Sequence, residues 1–229
     1  MRAQGFALRP PALGKLAATG AMLGPACDAI HNQLLLTYDR FPVAIGDAKT
    51  SLLIPPLLAL TYALLGGVFP LVAQRVVGAG GAGGDAPTPL VELKLLSRSE
   101  ERRARAVLAV LATCAVIKLS AVAIALDAPN SLALLAVAAL LEWRALDASW
   151  TSLAVGCVVA VLGPIAEVPF MELGCWHYFD AARDYFPLHS FLVDSQATGI
   201  SSLTGPCYFA VTTDAIALGR WYSGEDEVG

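Results

Sequence analysis

The sequence predicts an all-α membrane protein, a six-transmembrane helix bundle with both termini cytosolic. Three observations lead there. Of 229 residues, 56% are hydrophobic and only 15% charged, whereas a soluble domain carries about 25% charged residues. The apolar residues gather into six long runs. Lysine and arginine fall mostly on one side of those runs. With the first residue in the cytosol, that side holds Arg2, Arg9, Lys15, Arg75, Lys94, Arg98, Arg102, Arg103, Arg105, Arg144 and Arg220, and the far side only Arg40, Lys49 and Arg183. Such an asymmetry sets orientation in a bilayer.

Each span needs about 20 mostly apolar residues. The first run, 13–36, contains Pro25, Asp28 and His31. The second, 51–73, opens with Pro55-Pro56. The third, 106–126, is almost pure Ala, Val, Leu and Ile. The fourth, 131–146, is short. The fifth, 152–173, carries Pro164 and Pro169, and the sixth, 203–218, opens near Pro206. These runs are too long for strands and lack period-two alternation. An open sheet also leaves its edge groups unpaired in lipid.

The segments between the spans are polar or flexible. Residues 1–12 read as a basic cytosolic flank, Arg2, Arg9 and Lys15 being met by no acid before Asp28; a transit peptide for a plastid is the alternative. Residues 74–105 form a cytosolic loop in two parts. The glycine run at 78–84 is flexible, and 90–105 mixes charges with leucines as an amphipathic surface helix leading into the third span. Residues 222–229 form an acidic tail.

A net charge of −4 and the lack of any basic run interleaved with aromatics exclude a nucleic-acid partner. The five cysteines, Cys27, Cys114, Cys157, Cys175 and Cys207, form no CxxC pair and read as small packing residues. No GxSxG, HExxH, P-loop or GxGxxG element is present, so neither catalytic residues nor a cofactor are expected. Glu172, Cys175 and His177 lack the spacing of a metal site, and none is expected.

Ionisable groups inside a bilayer are costly and need a partner or a wet cavity. Asp28 and His31, at i and i+3, share one helix face, where they can bond each other or reach a neighbouring helix. Glu167 and Glu172 flank a proline-bent segment, Pro164 to Pro169, with Lys118 as a candidate counter-ion for Glu167 or Glu142. Asp214 faces the bundle. Helices bent at Pro25, Pro55-Pro56, Pro164 and Pro206 cannot pack uniformly, and the gaps between them make apolar cavities in which a few polar groups fix a headgroup. Gly66 and Gly67 allow close helix contact elsewhere.

Several segments together resemble the Insig (insulin-induced gene) family of endoplasmic-reticulum membrane proteins. TSLLIPPLLALTYALLGGVFP at 50–70 looks like the family's double-proline span. AIALDAPNSLALLAVAALLEWRALDASWTSLAVG at 123–156 is similar to the family's fourth span with its flanking loops, through the spacing of Asp127, Trp143, Asp147 and Gly156. GCWHY at 174–178 resembles the end of the family's fifth span, and GPCYFA at 205–210 with Gly219-Arg220 resembles its last span and the Gly-Arg exit. The resemblance covers about 23–221. The loop at 74–105 is longer than the family's, and Glu142 and Arg144 replace apolar or aromatic positions.

The resemblance implies a non-enzymatic regulator of the endoplasmic-reticulum membrane, acting in sterol and lipid homeostasis. Its ligand would be a sterol or a diacylglycerol-type lipid held in a helix-bundle cavity. Its partners would be sterol-sensing membrane proteins. The ligand-lining set is then Asp28, His31, Pro55, Pro56, Trp143, Glu167 and Glu172, with Asp127 and Asp147 for partner contact. Asp127 reads equally well as the N-cap of the fourth helix. Two alternatives stay open: an intramembrane lipid-modifying enzyme using Asp28, His31, Glu167 and Glu172, and a small proton-coupled transporter, although no inverted repeat is found.

Overall fold

A computed structural model describes residues 10–79, 89–91, 93, 96–184 and 199–225. Arg2, Arg9, Lys94, the glycines at 80–84 and the end of the acidic tail at 226–229 lie outside those residues.

Helix α1 (Pro10–Leu35) contains Pro25 in its interior. After two short hairpin segments the chain enters α2 (Ile54–Ala63), whose first turn holds Pro55 and Pro56, where no intrahelical N–H is required. The helix then widens into a π segment, Leu64–Val68, before resuming as α3 (Phe69–Ala79). Pro70 accounts for the widening. It has no N–H for the Gly66 carbonyl and its ring crowds that carbonyl, while the Phe69 N–H reaches back to Leu64 in the wider repeat.

Helix α4 (Arg98–Ala125) starts at a capping box. The Ser97 hydroxyl accepts from the Glu100 N–H, and the Glu100 carboxylate accepts from the Ser97 N–H. The cap sets the start at Arg98, so the surface helix expected over 90–105 is confined to its last turns. The Leu90 and Val91 N–H groups instead donate to the carbonyls of Arg144 and Ala145. Helix α5 (Ser131–Leu146) coincides with the expected fourth span, and α6 (Trp150–Glu172) is capped by Ser149. Helix α7 (Thr204–Glu225) extends past the expected end of the sixth span into the acidic tail.

Helix α7 is the axle of the bundle, packing against α1, α4, α5, α6 and the π segment. Ala210, Thr212, Thr213, Asp214, Ala215 and Ile216 on it are all fully buried. Glycines set several of the close contacts. A Cβ on Gly20 would sit 2.3 Å from the Leu58 carbonyl oxygen, and one on Gly66 2.3 Å from that of Ala215. Small residues at such crossings let backbones approach, the usual device of helix association in lipid.

The outward faces are apolar. Leu111, Leu132, Val137, Leu141, Val161 and Leu173 are among the exposed large hydrophobics. In water that surface would drive association; in lipid it is matched. Three stretches among the described residues, Ile54–Ala73, Ser99–Ala125 and Trp150–Glu172, are long and apolar enough to cross a membrane.

Strands, unexpected from the sequence, occur outside the helices. Strands β1 (Leu36–Tyr38) and β4 (Trp176–Tyr178) pair antiparallel with Leu36 opposite Tyr178 and Tyr38 opposite Trp176. These four side chains are buried, whereas His177 points outward. Strands β2 (Pro42–Ile45) and β3 (Ala48–Ser51) form a hairpin. Gly46 opens its two-residue turn at a φ of +60°, which a side chain would strain.

Candidate functional site: a cavity beneath the strand cap

The β1–β4 ribbon closes one end of the bundle. It joins the end of α1 to the end of α6: the Phe179 N–H donates to the Leu35 carbonyl at 2.8 Å, and the Asp39 and Arg40 N–H groups donate to that of Cys175 at 3.0 and 3.1 Å. Trp176 stacks on Phe170 at 5.3 Å and meets Tyr38 edge-on at 6.0 Å.

Below this ribbon lies a cavity of about 440 Å³ between α1, α2, the π segment, α6 and α7. Its walls change character along its length. Near the ribbon they present Asp28, His31, Tyr38, Glu167, Trp176 and Tyr178. Away from it, Leu58, Leu64, Leu65, Val158, Val159 and Leu162 take over. From Ile54 to Leu65 the cavity follows α2 for about 16 Å at a rise of about 1.5 Å per residue. Val158 and Leu162 line it and yet are 55% and 56% exposed, so the cavity opens sideways through the bundle wall.

The polar end is organised by hydroxyl groups. Asp28 accepts from the Tyr38 and Thr50 hydroxyls, each at 2.6 Å. Glu167 accepts from Tyr178 at 2.8 Å and from Tyr208 at 2.9 Å, and the Tyr178 oxygen lies 3.0 Å from Thr204 Oγ1. His31 Nδ1 lies 3.2 Å from Ser120 Oγ on α4. The buried Trp176 indole N–H faces the Glu167 carboxylate and completes no close hydrogen bond among the described residues. The polar end can therefore present carboxylate acceptors to a small uncharged headgroup, and the rest can hold hydrocarbon.

Of the residues singled out in the sequence, Asp28, His31 and Glu167 converge on this cavity. Pro55, Pro56, Trp143 and Glu172 do not line it. The two prolines start α2, and the Trp143 indole N–H donates to the Ser149 carbonyl at 3.0 Å. Lys118 is exposed on α4 and makes no ion pair with Glu167 or Glu142 among the described residues. Hydroxyls supply what the lysine was expected to supply: Thr113 donates to Glu142 at 2.9 Å, and Tyr178 and Tyr208 donate to Glu167. Tyr62 likewise donates to Asp214 at 3.2 Å. Asp127 is exposed at a φ of +45°, and the N-cap of α5 is Asn130 instead. Asp147 is buried at the other end of the bundle, ion-paired with Arg220, its Oδ2 accepting from Ser149 at 2.7 Å. His177 is engaged by Asp39 at 2.7 Å.

Sequence reasoning did not find Tyr38, Thr50, Thr204 or Tyr208. Their signal is the placement of tyrosines beside the ends of apolar runs, where amphipathic rings settle at a membrane interface.

No protein-family model and no curated protein sequence matches the chain. Among solved structures, the chain is similar to an Insig homologue from Mycobacterium vanbaalenii, at 22% identity and a TM-score of 0.67, over 97% of each chain. A cross-linked trimer of this mycobacterial homologue matches at 23% identity and the same TM-score and coverage. The apolar exterior, the three long apolar helices and this similarity together make the chain a multi-pass helical membrane protein with the Insig fold.

Proposed function

We propose that this chain is a lipid-responsive membrane regulator rather than an enzyme. It threads the bilayer six times with both termini cytosolic. It holds a sterol or diacylglycerol-type lipid in the cavity beneath the β1–β4 ribbon and regulates sterol-sensing partners in the endoplasmic-reticulum membrane. The observation that carries this reading is the graded cavity wall, with hydroxyl-bound carboxylates at one end and aliphatic side chains over the remainder. A lipid bearing a hydroxylated, uncharged head matches that gradient, with its tail leaving between Val158 and Leu162. Of the four ionisable candidates for acid–base chemistry, Glu172 does not line the cavity, and Asp28, His31 and Glu167 are each engaged by a hydroxyl.

In this reading Asp127, exposed at the α4–α5 turn, touches the partner. Asp147 acts indirectly, holding the α5–α6 loop to α7 through Arg220.

The test is native mass spectrometry of the protein extracted with its co-purifying lipid, compared with Ala166→Trp. Ala166 lines the cavity and is itself exposed, so a larger ring there narrows the site at its rim. A bound neutral lipid in the parent protein, lost in the variant, supports the reading. No lipid retained above that on an unrelated helical membrane protein overturns it.

A further inference from the structure

The geometry points to Cys27 and Cys114 as a redox-modifiable dithiol, a site at the cavity wall that a peroxide converts to a disulfide joining α1 to α4. The two sulfurs lie 3.4 Å apart although the residues are 87 positions apart in the chain. A disulfide holds its sulfurs at about 2.05 Å, so closure needs a displacement of little more than an ångström. Both thiols are free. The pair also has access to a small oxidant. Cys27 lines the laterally open cavity, and Cys114 is only partly buried. Cys157 stands exposed on α6, and Cys175 is buried elsewhere, in the core beneath the ribbon. Cys207 shares the apolar cluster of Cys27.

The chemistry balances with hydrogen peroxide as the oxidant. Deprotonated Cys114 Sγ, on the less buried of the two residues, attacks one peroxide oxygen, an S–O bond forms, the O–O bond breaks, and the departing hydroxide takes a proton to leave as water. Cys27 Sγ, its proton lost, then attacks Cys114 Sγ; the S–S bond forms, the S–O bond breaks, and the second oxygen leaves as water. Two thiols give up two electrons and two protons, and one peroxide becomes two waters. Cys27 immediately precedes Asp28 and is one helical turn from His31, so the bridge ties the polar end of the cavity to the redox state of its surroundings.

The experiment treats the full chain, in detergent micelles, with hydrogen peroxide. Free thiols are counted after denaturation by maleimide mass-tagging, and the digest is searched for a bridged Cys27–Cys114 peptide. The free thiols are expected to fall from five to three and to be restored by dithiothreitol, with that peptide as the product. Cys114→Ser should keep its four remaining thiols free. Peptide mapping of the unsubstituted protein decides the matter even if that variant misfolds. Oxidation at Cys157 with no bridged Cys27–Cys114 peptide, or a bridge from Cys27 to Cys207, overturns the proposal.

Discussion

The Tyr178 hydroxyl donates to Glu167 Oε2 across 2.8 Å, so a strand of the cap is bonded to the helix that forms one wall of the cavity. The contact ties the ribbon to the bundle. Tyr178 is 1% exposed and also reaches Thr204 at the start of α7, so one hydroxyl joins three elements.

Tyr178→Phe removes one donor and leaves Glu167 with Tyr208. Its expected cost is about 1–2 kcal/mol, that of one hydrogen bond removed from a buried acceptor. Glu167→Leu strands the Tyr208 hydroxyl and leaves Tyr178 with Thr204 alone, and should cost about 2–3 kcal/mol on the same grounds. Reversible unfolding in mixed micelles measures both. Equal costs for the two variants would mean that Tyr208 contributes nothing to the site.

Gly20 and Gly14 lie on the same helix, and their alanine variants should behave oppositely. A Cβ on Gly20 meets the Leu58 carbonyl oxygen at 2.3 Å, whereas one on Gly14 meets nothing within 4 Å. Gly20→Ala should therefore push α1 from α2 and cost about 1–3 kcal/mol. Gly14→Ala should be neutral or stabilise by up to about 1 kcal/mol through helix propensity. Unfolding midpoints of the two variants, side by side, make the comparison.

Asp147 and Arg220 should prove energetically coupled. The Asp147 side chain is 2% exposed and that of Arg220 34%, so solvent screens the pair only in part. A double-mutant cycle of Asp147→Asn and Arg220→Gln is expected to give a coupling of about 1–2 kcal/mol. Strict additivity would show that the Ser149 bonds, at 2.7 and 2.8 Å, hold this corner without the ion pair.

Asp127 should be dispensable for folding. It is exposed and its φ of +45° suits asparagine equally well. Asp127→Asn is expected to shift stability by less than about 0.5 kcal/mol, as surface substitutions do. Under the proposed function it should nevertheless weaken co-purification of a sterol-sensing membrane protein. Unchanged capture would remove Asp127 from the contact surface.

The helices were legible because lipid demands long apolar runs, and α5 begins and ends where the run at 131–146 does. The cap was not. β1 and β4 are three residues each, too short for any period to emerge, and their pairing spans most of the chain. Asp28, His31 and Glu167 stood out because charge in an apolar run is costly. Their partners were hidden, since Tyr38, Thr50, Ser120 and Tyr208 lie on other elements and look unremarkable in sequence. Lys118 drew notice by its charge, but its position on α4 turns it outward, a matter of helix rotation that composition does not encode.

Photolabelling tests the lipid cavity most directly. The full chain in phosphatidylcholine vesicles would be irradiated with a diazirine diacylglycerol or a diazirine sterol, and the adducts mapped by peptide sequencing. A lipid-holding cavity predicts adducts from at least one probe on Leu58, Leu65 or Leu162, competed by unlabelled lipid. Adducts confined to outward residues such as Leu111 and Val137, and insensitive to competitor, would contradict it.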